Sequence, residues 1–322
     1  MTATSRIDAG AFVDVHGVPQ WLTIRGDDRA SPALLIVGGP GFGYAALAPF
    51  FAPWERELTL VQWDQPGAGF TFARNGAEPR SIAQLVDDGI RVAELTAARL
   101  GGRKLALLCF SGGTIVGLNM IKRRPELFSA YIGSGQFVDW ARQDSQSYEL
   151  LLTRARERGD TAMRAELARI GPPPYADAAT DAVKSKYAGA PTAREAEAFA
   201  ALMPVAGAAL QGVPAGASYF APGLQWPEPM ARTFCAYTAL RRDLVTFDAR
   251  TLGPRFGVPM WFVQGADDLY SVTAEVERYA TELAAPLVEV VKIADAGHSA
   301  LLLRDDILAA LREHVLPRLR GA

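Results

Sequence analysis

The chain has 322 residues, 33 Lys+Arg against 35 Asp+Glu, a net charge of −2 and 49% hydrophobic residues. These values exclude a disordered chain, a collagen-like repeat and a disulfide scaffold. The near-neutral balance gives no electrostatic reason to expect nucleic acid or an anionic membrane surface as partner.

The length exceeds the roughly 250–300 residues at which one core stops growing. One large domain with an insertion, or two domains, is therefore expected. Only Cys109 and Cys235 are present, and the N-terminus lacks a basic start followed by an apolar run. A reduced, cytoplasmic protein without a signal peptide is the expectation. Uncharged stretches at Ser31–Trp54 and Ala198–Pro227 have the length of a membrane span. Pro40, Pro49 and Pro53 in the first, Pro204, Pro214 and Pro222 in the second, and several glycines in each break them. A lone helix in lipid could not satisfy its backbone through such breaks, so no membrane association is expected.

In chain order, Phe12–Val15 and Gln20–Ile24 around His16-Gly17 predict an antiparallel hairpin. Ala33–Val37 is a continuous apolar run, as in a strand buried on both faces, and it stops at Gly38-Gly39-Pro40-Gly41. Leu58–Trp63 predicts the next strand, and Ser81–Leu100 a helix with Ser81 as N-cap and Gly101-Gly102 as stop. A strand at Leu105–Phe110 runs straight into Ser111-Gly112-Gly113 and a helix over Thr114–Arg124, followed by a strand at Ala130–Gly133. From about Asp139 to Leu244 the pattern is helical, including Tyr148–Arg158 and Thr161–Ile170. Alternation then resumes with a strand at Met260–Gln264, a helix at Thr273–Ala284, a strand at Leu287–Ile293 and a helix at Asp305–Arg318. Alternating strands and helices predict an α/β fold with a mostly parallel sheet covered on both faces. The expected division is a core over residues 1–138 and 245–322 with an inserted helical cap over 139–244.

The sharpest chemical signal is Cys109-Phe110-Ser111-Gly112-Gly113 between strand and helix. A serine on such a turn is held with its hydroxyl exposed, usually within Gly-x-Ser-x-Gly. Here Cys109 takes the first glycine position, and an ordinary strand–helix loop is the competing reading. A nucleophilic serine needs a base. Of three histidines, His16 lies in a hairpin turn and His314 in the last helix. His298, in Asp295-Ala296-Gly297-His298, follows a strand at the sheet edge where open α/β sheets bind ligands. Gly265-Ala266-Asp267-Asp268 offers the acid at the same edge, and the Gly-x-x-Asp spacing favours Asp268 over Asp267. Capping of the next helix is the competing role for these aspartates. The backbone N–H groups of Gly39 and Gly112 are candidates for an oxyanion hole. A phosphate-binding loop would need the lysine and Ser/Thr that the Gly38–Gly41 segment lacks.

With Val37-Gly38-Gly39-Pro40-Gly41, Trp63-Asp64-Gln65-Pro66-Gly67, the Ser111 turn, Gly265-x-x-Asp268 and Gly297-His298 in place, most of residues 12–320 resembles the proline iminopeptidase branch of the α/β hydrolases. Arg124-Pro125-Glu126-Leu127-Phe128 and Gly171-Pro172-Pro173-Pro174-Tyr175 resemble that branch too. The resemblance implies a Ser111–Asp268–His298 hydrolase with Gly39 and Gly112 as oxyanion donors, acting on a small-molecule or short peptide-like substrate without cofactor or metal. Departures include Val37 for a usual histidine, Pro66 for an arginine and Gly112 for a tryptophan. In a stretch that matches Ala231–Tyr237, the family carries a glutamate that helps hold the substrate's free amine, and Phe234 stands there instead. An apolar ring cannot pair with an ammonium, so a substrate other than a plain N-terminal proline peptide is expected. Phe110, Phe234, Tyr237 and Trp226 are the candidate pocket residues. An acyltransferase using the same three residues, or a binding protein on the hydrolase scaffold, are the rival readings. The oligomeric state is left open.

Overall fold

The computed structural model describes residues 6–210 and 240–320. Eight strands form one sheet: β1 (Ile7–Val15), β2 (Val18–Gly26), β3 (Ala33–Val37), β4 (Thr59–Asp64), β5 (Leu105–Phe110), β6 (Phe128–Ser134), β7 (Met260–Gly265) and β8 (Val288–Ile293). Their order is β1-β2-β4-β3-β5-β6-β7-β8. The β1–β2 and β2–β4 pairs are antiparallel, and all others are parallel. The predicted hairpin turns at His16 and Gly17 with φ of 52° and 82°, the pair of positive values that a tight hairpin of right-handed twist requires.

The apolar runs are continuous because both faces of the sheet are covered. In β3, Ala33, Leu35 and Val37 face one core while Leu34 and Ile36 face the other. Likewise, β5 sends Leu105, Leu107 and Cys109 to the first core and Ala106 and Leu108 to the second. The first core is closed by α3 (Ile82–Arg99), α4 (Gly113–Arg123) and α9 (Thr273–Glu282). The second is closed by the segment around α1 (Ala48–Phe51) and by α10 (Arg304–Ala310) and α11 (Leu316–Arg320). Burying one such Leu or Ile contributes about 1.5–3 kcal/mol, so neither face can be left polar. Ser81 is the N-cap of α3, accepting from the Gln84 amide at 3.0 Å.

Between β6 and β7 the described chain is helical: α5 (Trp140–Glu157), α6 (Thr161–Ile170), α7 (Ala178–Ala188), α8 (Ala193–Leu210) and residues 240–245. The segment leaves and returns side by side, with the Trp140 amide bonded to the Phe247 carbonyl at 3.0 Å and the Ala249 amide to that of Val138 at 2.6 Å.

Three differences from the sequence reading have physical causes. First, α5 begins two turns earlier than Tyr148, at an Asp139 cap that accepts from the Arg142 amide. Its first turns bury Gln143 and Asp144, and buried polar residues carry no apolar period. Second, α8 continues through Pro204 instead of breaking there. A proline inside a helix costs about 3 kcal/mol, and the burial of Leu202 in the second core works against that cost. Third, α1 and α2 (Gly69–Asn75) are additional to the elements read from the sequence, since both are about two turns or shorter. No described helix is long and apolar enough to cross a membrane.

Candidate active site

The strand order places β4 on one side of β3 and β5 on the other. This reversal opens a crevice at the carboxyl ends of β3 and β5, where Gly38–Gly41 and Ser111 sit. Ser111 joins β5 to α4 with φ of 53°, a backbone state that costs a non-glycine residue about 1–3 kcal/mol. The surroundings hold it there. The Ser111 amide donates to the Ser134 carbonyl at 2.9 Å, and its own carbonyl accepts the Thr114 amide at 2.9 Å and the Thr114 hydroxyl at 2.6 Å.

The flanking small residues follow from close approach. A methyl on Gly113 would overlap the Val37 and Gly38 carbonyls, and one on Gly117 would overlap the Cys109 sulfur. Cys109 therefore occupies room that Gly117 leaves open in α4. Burial pushes its thiol well above the ordinary value, which keeps it neutral.

Ser111 Oγ lies 2.9 Å from His298 Nε2, and His298 Nδ1 lies 3.1 Å from Asp268 Oδ2. The three predicted side chains thus form one hydrogen-bonded chain across the ends of β5, β7 and β8. Asp268 Oδ1 accepts the amides of Tyr270 at 2.8 Å and Ser271 at 2.9 Å, and Oδ2 also accepts the Ser271 hydroxyl. Burial favours the neutral acid, but the His298 charge, its hydrogen bond and the Ser271 donors outweigh that effect. They hold the Asp268 carboxyl below the ordinary aspartate value. Asp267 points outward and is exposed, and its amide donates to the Ala296 carbonyl at 2.8 Å. Neither aspartate caps α9, whose N-cap is Val272 without a side-chain bond.

Gly39 and Gly112 lie against each other. A methyl on Gly112 would sit 3.3 Å from Gly39 Cα and 3.1 Å from Pro40 Cδ. The Gln65 side chain, following β4, donates to the Gly38 carbonyl at 3.0 Å and fixes the loop from below. The ends of β3 and β5 thus bring these two glycines into close approach.

Aromatic rings surround the imidazole. Tyr270, Phe110 and Phe137 have ring centroids 4.7, 5.5 and 6.2 Å from that of His298. Gly135, with φ of 59°, leaves the space: a methyl there would be 2.9 Å from His298 Cε1. Of the predicted pocket residues, Phe110 is half-buried beside His298. Phe234, Tyr237 and Trp226 lie outside the described residues. His16 contacts the Asp87 carbonyl and His314 the Glu289 carboxylate.

Sequence reasoning missed several supporting residues. Ser271 bonds the acid, and Gln143 of α5 donates to the carbonyls of Gln136, at 3.0 Å, and Ser271. Glu195 of α8 accepts the Gly297 amide at 2.9 Å. Thr192-x-x-Glu195 is a capping box readable in the sequence, but nothing local points to the contact with Gly297. A lone serine or glutamine carries no comparable signal.

The sequence matches the model of the alpha/beta hydrolase family over residues 33–311, and the chain belongs to that family. It is a hydrolase. Over 297 residues it is 27% identical to the probable aminopeptidase YbaC of Bacillus subtilis (strain 168), covering 89% of each chain. Its fold is similar to a proline iminopeptidase-related protein of Thermus thermophilus, with a TM-score of 0.64 at 20% identity, covering 97% of this chain and 99% of that one. It is similar also to a thermophilic esterase of Thermogutta terrifontis, with a TM-score of 0.57 at 16% identity over 98% and 99% of the two chains. The aminopeptidase agrees with the branch its motifs resemble.

Proposed function

We propose that the protein cleaves an ester or amide through an acyl-enzyme on Ser111. The observation that carries this reading is the chain Ser111 Oγ–His298 Nε2–Asp268 at 2.9 and 3.1 Å. With Asp268 ionised, the hydrogen on His298 Nδ1 points at the carboxylate, and Nε2 offers its lone pair to the serine hydroxyl. His298 removes that proton as Ser111 Oγ attacks the substrate carbonyl. The carbonyl oxygen becomes an oxyanion that accepts from the Gly39 and Gly112 amides, each such donor being worth about 10²–10³ in rate. The tetrahedral adduct collapses, His298 returns the proton to the leaving amine or alcohol, and the acyl group stays on Ser111. Water then enters, gives one proton to His298 and attacks the acyl carbon; the second tetrahedral adduct breaks its bond to Ser111 Oγ, His298 returns the proton to that oxygen, and the acid leaves. No cofactor takes part.

The substrate is apolar or bulky at the acyl side and carries no obligatory free amine. Phe234 at the family's glutamate position supports this, as do the rings of Phe110, Phe137 and Tyr270 around His298. The helical segment over 139–244 would act as the cap, with Trp226, Phe234 and Tyr237 completing the pocket. Steady-state turnover of aryl esters should exceed that of prolyl-naphthylamide. Faster cleavage of the prolyl amide would overturn the substrate assignment.

A further inference from the structure

Glu195 lies in the first turn of α8 and is fully buried. A buried carboxylate is costly unless its lone pairs are taken up. Among the described residues its partners are two backbone amides: Oε2 accepts from Thr192 at 2.8 Å and Oε1 from Gly297 at 2.9 Å. The first contact is half of a capping box, completed by the Thr192 hydroxyl accepting the Glu195 amide at 3.3 Å. The second leaves the helix altogether and reaches the residue before His298. Gly297 is suited to it, since a methyl there would press on Glu195 Oε2 at 3.0 Å. The neighbouring Arg194 holds the same loop, donating to the Ala294 carbonyl at 2.8 Å and to Asp306 at 2.7 Å. From below, the Ala266 and Asp267 amides hold the carbonyls of Ile293 and Ala296 at 2.9 and 2.8 Å. The histidine loop is thus clamped between the end of β7 and the start of α8.

We propose that Glu195 is a positioning residue for His298: its carboxylate, carried by the helical insertion, fixes the Gly297 amide and with it the imidazole's approach to Ser111. The inference rests on the reading of Ser111, His298 and Asp268 as the reacting groups. An imidazole displaced by about 1 Å loses on the order of 10²-fold in rate, while binding of the substrate elsewhere in the pocket is untouched.

The test uses the full chain and reads the rate of Ser111 labelling by a fluorophosphonate together with kcat and KM for an aryl ester. Glu195→Ala should slow labelling and kcat by up to about 100-fold with KM nearly unchanged. Glu195→Gln, which puts an NH2 group in place of one of the two acceptor oxygens, should lose about tenfold. Thr192→Ala removes the other half of the capping box. It should lower the unfolding temperature yet label at the wild-type rate. Should Glu195→Ala not fold, Glu195→Gln decides alone. Wild-type labelling by every folded Glu195 variant overturns the proposal. So does a rate loss that tracks thermal stability equally in the Thr192 and Glu195 variants. His298→Ala separates the two levels. If it labels as fast as wild type, the reading of the reacting groups has failed. If it does not label while Glu195→Gln is normal, only the positioning role has.

Discussion

Asp267 and Asp268 are neighbours with the same side chain, and the turn after β7 sends one to solvent and the other beneath His298. If Asp268 orients the imidazole, Asp268→Asn should lower kcat by about 10⁴, the size of the analogous loss in serine proteases. Asp267→Asn should be near normal, and the reverse result would move the acid assignment. The lowered carboxyl value adds a sign. Folding takes the pKa below its unfolded value of about 3.9. Asp268 therefore contributes stability fully above that value and loses the contribution as pH falls through the folded one. Urea unfolding of wild type and Asp268→Asn should differ at about pH 5 and converge as the pH falls below that. A difference that widens on acidification contradicts the shift. At this scale the sequence made Ser111, His298 and Asp268 legible through spacing and chain order. It did not reveal Ser271, whose role depends on a turn that brings its hydroxyl back to a carboxylate three residues earlier.

Among the elements, β5 and α4 approach each other closely at Cys109 and Gly117. Cys109 in the strand and Gly117 in the helix share one space, so their sizes are coupled. Gly117→Ala should cost about 1–3 kcal/mol through overpacking. Adding Cys109→Gly, which restores the glycine usual at the start of the turn, should recover part of that loss. A coupling of at least about 0.5 kcal/mol in urea unfolding is expected of residues in contact; additive losses would show that the two do not share the space. The strands were easy to read because two cores make them apolar on both faces, and α3 because Ser81 caps an amphipathic period. By contrast, the start of α5 was hidden, as its inner face holds Gln143 and Asp144 where an apolar residue would have marked it.

For the whole molecule, the switch in strand order at β3 and β5 creates the crevice, and the segment between β6 and β7 starts and ends at one base where its two ends meet. Arg250 fastens that base, pairing with Asp139 at 3.0 Å and with Glu275 of α9 at 2.8 Å. Two side chains of the segment, Gln143 and Glu195, reach the loops that carry Asp268 and His298. Such contacts join residues 128 and 102 positions apart, a distance over which local patterning carries no signal. The proposed chemistry in that crevice depends on a Ser111 hydroxyl made nucleophilic by His298. Intact-mass and peptide analysis of the full chain treated with a fluorophosphonate tests it most directly. A single adduct on Ser111 is expected, abolished in Ser111→Ala and severely slowed in His298→Ala. A folded wild-type protein that takes up no adduct, or one whose adduct persists in Ser111→Ala, would contradict it.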